Sequence, residues 1–140
     1  YTRTYTLSLH DALPIYLHDY VPTGETVIVQ PWTGSAVTYA LTGYKVTAAH
    51  PLYTATPDAR EIYQHLNEAA DNPAVCSAVQ NSKAYYYLDF KGREINEEIR
   101  GDHRSQYPGL ENLQQKGVAE PVYSKGEATL YRITACGTPQ

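Results

Sequence analysis

Residues 26–30, T-V-I-V-Q, leave few folds open. Four consecutive β-branched residues, Thr26–Val29, stand between a Pro22-Thr23-Gly24 turn and the segment Pro31-Trp32-Thr33-Gly34-Ser35. A strand with one wet face alternates apolar and polar residues, but this run has no polar member inside it, so both faces must be covered. Such strands belong to sheets flanked by helices, and the rest of the chain must supply them.

It does so in alternation. After the Pro31–Ser35 turn, Val37, Ala40 and Leu41 fall at helical spacing, Thr33 or Ser35 is placed to cap, and Gly43 sits where a helix ends. Tyr44 to Ala49 follows as a second strand, broken at His50-Pro51. Residues 58–71 carry Ala59, Ile62, Tyr63, Leu66, Ala69 and Ala70 along one helical stripe, with Asp58 and Glu61 spaced as a capping box. Pro73 opens a further helix carrying Ala74, Val75, Ala78 and Val79 and stopping near Asn81, and Ala84–Phe90, A-Y-Y-Y-L-D-F, reads as a third strand. Lys91 to Gln106 is polar and is expected as a surface excursion, and Pro108-Gly109 is expected to open a last helix with Leu110 and Leu113, closed by Gly117. Pro121–Tyr123 and Ala128–Ala135 around Ser124-Lys125-Gly126 read as a hairpin. The expected fold is therefore α/β: a two-layer or three-layer sandwich with a mixed, mostly parallel sheet and a C-terminal β-hairpin.

The first 15 residues stand apart. Thr6–Ile15, T-L-S-L-H-D-A-L-P-I, reverse-translates into one frame of a common sequencing adapter. Residues 1–15 are accordingly expected to be a non-native scar, with an amphipathic leader on Leu7, Leu9, Leu13 and Ile15 as the alternative, and His10 and Asp11 enter no site. The absence of Met suits a piece whose true start lies elsewhere, and residues 16–140 are of a size for one domain.

A net charge of −4 with dispersed Lys and Arg offers no field for neutralising phosphates, so nucleic acid is not an expected partner. No apolar run approaches the length of a bilayer span. Fourteen tyrosines against one Phe either cover a half-buried sheet or form a contact surface. Cys76 and Cys136 are either two buried thiols or a bridge closing a loop of about 60 residues, worth on the order of 4 kcal/mol in the chain-entropy model.

If the three strands run parallel, their carboxyl ends share one edge, where open α/β sheets bind ligands. That edge gathers Trp32, Thr33, Gly34 and Ser35, then His50, then Asp89, as candidate ligand-binding residues. The P-W-T-G-S-A segment is either an anion or sugar-hydroxyl site at a helix start or a plain tight turn with Trp32 packed over it. It lacks both G-x-G-x-x-G and G-K-[ST], so no nucleotide cofactor is expected. His50 is either a general base oriented by Asp89 or a turn residue. Glu97, Glu98, Asp102 and His103 match no metal spacing, neither cysteine lies in C-x-x-C, and there is no nucleophile elbow, so no metal and no catalytic residue is assigned.

The pieces P-W-T-G-S-A-V-T-Y-A-L-T-G, His50-Pro51, N-P-A-V-C-S-A-V, Y-Y-Y-L-D-F, Y-P-G-L-E-N-L and G-E-A-T-L-Y-R-I-T-A-C, spread from about Val27 to Cys136, resemble the soluble C-terminal domain of the DUF6541 family of actinobacterial polytopic membrane proteins. Those proteins are similar to integral-membrane glycosyltransferases that use lipid-phosphate sugar donors. The resemblance implies a transmembrane region as partner and a domain on the extracytoplasmic face of the cell membrane, where a Cys76–Cys136 bridge is favoured. It implies an accessory role in cell-envelope assembly, with an envelope glycan, a lipid-linked sugar or a protein recognised and with catalysis elsewhere in the parent. The alternatives are a free-standing α/β enzyme using His50 and Asp89, or a purely structural domain.

Overall fold

The computed structural model describes residues 16–50, 52–91 and 103–139. The expectations for residues 1–15, for Pro51, and for Glu94, Glu97, Glu98, Arg100 and Asp102 lie outside the described residues. The described chain runs α1 (Leu17–Tyr20), β1 (Thr26–Val29), a 3-10 turn (Gly34–Val37) into α2 (Thr38–Thr42), β2 (Lys45–Val46), and α3 (Pro57–His65) with a 3-10 turn (Leu66–Glu68). It continues through α4 (Pro73–Ser82), β3 (Tyr86–Phe90), 3-10 turns at Arg104–Gln106 and Pro108–Leu110, and the hairpin β4 (Ala119–Lys125) and β5 (Ala128–Ile133).

The strands form one sheet in the order β2-β1-β3-β5-β4. β2, β1 and β3 are parallel, while β5 is antiparallel to both β3 and β4. This is the α/β fold with a mixed sheet that the sequence implies. Val27, Ile28 and Val29 are fully buried, as an uninterrupted apolar run requires. From β1 the chain crosses to β2 on one side and then, through α3 and α4, to β3 on the other.

Local chemistry sets the helix starts. Thr56 Oγ1 accepts from Ala59 N at 3.1 Å with Pro57 in the first turn, so Thr56 caps α3. The Asp58–Glu61 box is thereby displaced: Asp58 lies inside the first turn, one residue past the proline that begins the helix. Asn72 Oδ1 accepts from Ala74 N and caps α4.

Three expected elements differ from their patterns. Ala40 and Leu41 face solvent, because the segment starts as a 3-10 turn and its three-residue period takes the apolar spacing off one face. β2 pairs over two residues, after which the Thr47 hydroxyl takes Val29 N at 3.1 Å in place of a backbone partner. The helix expected from Pro108 to Gly117 is a single 3-10 turn followed by further turns. Gly109 lies so close to α3 that a Cβ there would stand 2.5 Å from Ile62 O and 2.6 Å from His65 N, and a helix bearing side chains does not fit that approach.

The aromatic strand β3 and its neighbours are covered by tyrosine: Tyr44, Tyr63, Tyr85, Tyr86 and Tyr87 are buried, whereas Tyr20 and Tyr39 are exposed. Cys76 on α4 and Cys136 beyond β5 are joined by a disulfide with a Cα–Cα distance of 5.0 Å. Among the described residues, no helix is long and apolar enough to cross a membrane.

Candidate functional site

Because β1 lies between its two parallel partners, its connections diverge beside β3, and a crevice opens beyond the carboxyl ends of β1 and β3. A cavity of about 230 Å³ occupies it. The end of β1 contributes Gln30 and Thr33, β3 contributes Tyr87, Asp89, Phe90 and Lys91, and the returning chain contributes Arg104, Tyr107, Leu110 and Glu111.

The β1 wall is a turn closed on itself. Thr33 Oγ1 donates to Gln30 O at 3.1 Å, lies 2.7 Å from Ser35 Oγ, and accepts from Ser35 N at 3.3 Å. Trp32 N donates to Gln30 Oε1. These bonds engage both hydroxyls and the amides of Trp32 and Ser35. The turn leads into a 3-10 segment and a helix of only five residues, so helix geometry adds no support to an anion site at Thr33, Gly34 and Ser35. Trp32 instead stacks face to face on His103, ring centroids 3.8 Å apart and planes 6° apart, which fixes the returning chain at the cavity's edge.

The β3 wall derives from strand geometry. Tyr87 and Asp89 are two residues apart, on the same sheet face, with Tyr87 in register with Ile28. Burial holds the Asp89 carboxyl above its ordinary range; Lys91 and Arg104 pull it back and Glu111 pushes it further up. Burial likewise keeps the Tyr87 phenol well above its ordinary value, with Asp89 and Glu111 adding to the effect.

The third wall is held by α3. Gln64 Nε2 donates to Gln106 O at 2.9 Å, and Asn67 Nδ2 donates to Pro108 O at 2.9 Å and Glu111 O at 3.2 Å. Tyr107 packs edge-on against Tyr63 at 5.0 Å, and the Tyr63 hydroxyl donates to Val29 O at 2.7 Å and lies 2.6 Å from Thr47 Oγ1. Burial raises Tyr63 far above the ordinary phenol range and pushes Tyr53, packed on Tyr63, up to about 12. Both phenols are neutral at physiological pH and act as braces.

Of the residues that the sequence nominates, Thr33 and Asp89 line the cavity, whereas Trp32 is not among the lining residues and stacks on His103. Gly34 and Ser35 form the supporting turn, Ser35 fully buried. His50 comes after β2 along the same sheet edge, but it is exposed, is not among the described lining residues, and shares no hydrogen bond or ion pair with Asp89 among the described residues. The general-base pairing of His50 with Asp89 is thus not assembled. Among the described residues, no three of His, Cys, Asp or Glu are grouped to hold a metal. The returning residues Arg104, Tyr107 and Glu111 escape a reading by strand ends, because tertiary folding alone brings them to β3. Their signal is the Y-P-G-L-E-N-L motif, which contains Tyr107, Leu110 and Glu111.

The walls offer hydrogen-bonding groups of both polarities beside aromatic faces, in a crevice that the fold positions. No curated protein matches the chain. A solved structure similar to it is the C-terminal globular domain of an oligosaccharyltransferase from Archaeoglobus fulgidus, with a TM-score of 0.53 and 9% sequence identity, covering 86% of this chain and 94% of that one. At that identity the likeness is one of fold. The model of a family of unknown function, DUF6541, matches residues 12–135. The chain therefore belongs to the DUF6541 family.

Proposed function

We propose that this chain is an accessory domain of a membrane-embedded, glycosyltransferase-like protein of cell-envelope assembly. In this reading it stands on the extracytoplasmic face, recognises a glycan or lipid-linked sugar, and leaves catalysis to the transmembrane region that is its partner. The observation that carries the reading is the cavity between the ends of β1 and β3, whose lining includes Asp89, Glu111, Lys91 and Arg104 beside Tyr87, Phe90 and Tyr107. Carboxylates and cations accept from and donate to hydroxyls, and aromatic faces cover the apolar face of a sugar ring. The fold it shares with an oligosaccharyltransferase domain is in keeping with that role.

Trp32 is the single tryptophan, directly precedes the lining residue Thr33 and stacks on His103 next to the lining residue Arg104, so its emission is a probe of the site. Titration with envelope oligosaccharides should change Trp32 fluorescence saturably and raise the melting temperature. A purely structural domain would show neither, and that outcome would overturn the proposal.

A further inference from the structure

We infer that a second site, at the edge of the sheet opposite the cavity, binds a small organic phosphate between Lys45 and Lys83. It goes beyond the glycan-recognising reading and does not depend on it. Where the parallel strands begin, a groove of about 570 Å³ is walled by the starts of β1 and β2, the first turn of α3 and the end of α4. That volume is within the roughly 300–1,000 Å³ of small-molecule sites. The groove stays open because Gly24, Ala49 and Ala59 present little side chain to fill it.

Charge is the first argument. Among the described lining residues the charged ones are Lys45 and Lys83, both cations. Every charged residue between Gly24 and Lys83, the stretch that joins these walls, is described, and Lys91 and His103 belong to the opposite edge. The acids nearest in sequence, Glu25 and Asp58, are not lining residues, and Glu25 feels Lys83 without forming an ion pair with it among the described residues. Thr26 is in register with Lys45, and its N–H donates to Lys83 O at 2.9 Å, so the two lysines flank one residue of β1. With strands about 4.8 Å apart their backbones stand roughly 10 Å from each other, and two such long side chains can close on one anion. Ammonium groups bind phosphate as point charges, whereas the fork that matches a planar carboxylate belongs to arginine.

The choice of residues is the second. Lys83 ends α4 at a φ of +54°, where the backbone favours glycine or asparagine, so its side chain and not its conformation accounts for a lysine there. Tyr39 is 55% exposed on the same wall as Val46, and the pair forms an apolar bed for the organic part of the ligand. The Thr47 hydroxyl is engaged with Val29 N and the Tyr63 hydroxyl, and Thr56 Oγ1 accepts from Ala59 N. These bonds hold the walls and leave the lysines, Thr26 and Asn81 to the phosphate oxygens.

The experiment follows the backbone amide NMR signals of the chain during titration with glucose 6-phosphate, methyl glucoside and inorganic phosphate, and with phosphatidylcholine vesicles with and without phosphatidic acid. Glucose 6-phosphate should shift the amides of Thr26, Lys45 and Lys83 at millimolar concentrations, about tenfold more tightly than methyl glucoside and less tightly as salt is raised. Shifts there with the soluble phosphates identify a free phosphate as the ligand, and broadening there only with phosphatidic acid vesicles identifies a lipid headgroup; both support the site. Lys45→Gln and Lys83→Asn should each weaken binding severalfold. Lys83→Asn should be at least as stable as wild type in urea, because asparagine accepts the left-handed conformation, and a loss of binding without a loss of stability cannot come from misfolding. Equal affinity for methyl glucoside and glucose 6-phosphate, binding that survives both substitutions, shifts confined to the cavity between β1 and β3, or no response to any phosphate would refute the proposal. Trp32 emission, a probe of the other edge, decides sugar recognition separately.

Discussion

The least comfortable side chain in the described structure is Glu25. It is 7% exposed, its Oε2 finds no hydrogen-bond partner, and burial raises its carboxyl above the ordinary 4.5, with Lys83 offsetting part of the shift. A carboxyl raised in the folded state binds its proton more tightly there than in the unfolded chain. Its favourable contribution is complete below the unfolded value and disappears as pH rises through the folded one. Glu25→Gln should therefore be more stable than wild type at pH 7, by on the order of 1 kcal/mol, with the advantage gone by about pH 4. Urea midpoints at the two pH values decide it; a gain of equal size at both would remove the charge as its cause. Asp89 has the same sign from the same cause, burial, and its side chain lines the cavity. Asp89→Asn is expected to raise the urea midpoint at neutral pH while weakening sugar binding severalfold, the exchange of stability for function typical of a site. Asp89 and Thr33 were legible from sequence because strand ends are legible. Tyr107 and Glu111 were not, because they lie after a polar stretch and nothing in local periodicity says that α3 holds them against β3.

Helix starts were read more closely than helix lengths. Pro73 marks the first turn of α4 as expected, whereas α3 begins at Pro57, one residue before the expected start at Asp58, and its cap is Thr56 and not the acidic residue after the proline. Thr56→Ala should cost about 1 kcal/mol, and Asp58→Ala only a few tenths from the helix dipole. The Pro108–Leu110 turn shows why a helix expected from sequence can fail. Nothing in P-G-L-E-N-L forbids continuation as strongly as the backbone of α3 pressed against Gly109, and that contact is visible only once the elements are packed. Gly109→Ala must push a Cβ into Ile62 O, His65 N and Leu66 N, all backbone atoms that yield only if α3 moves. The expected loss is about 2–3 kcal/mol by chemical denaturation. Gly24→Ala meets open space and should lose only about 1 kcal/mol, from its φ of +94°. Equal losses at the two glycines would argue against the close approach.

At the scale of the whole molecule, the parallel trio β2-β1-β3 was legible because an apolar run without alternation demands two covered faces, and the hairpin because its turn carries Gly126 between strand-forming segments. What the sequence left open was how the two halves are fastened. The disulfide does that at one end: β5 runs antiparallel to β3, so its last residue, Ile133, lies near Tyr85, and Cys136 just beyond reaches α4 at the edge opposite the cavity. The bridge closes a separation of 60 residues, and its removal should cost about 4 kcal/mol through the freedom returned to the unfolded chain. Cys76→Ala with Cys136→Ala, or a reducing agent, should lower the melting temperature on the order of 10–20 °C. Alanine is the proper replacement, since Cys136 is buried and a serine there would add a polar group to the core. Below that lower melting point Trp32 should still report sugar binding with unchanged affinity, because none of the cavity's walls hangs on the bridge. An unchanged melting temperature would mean the bridge does not hold the halves together, and a melting point and affinity that fall in step would mean the two ends of the sheet are not mechanically separate.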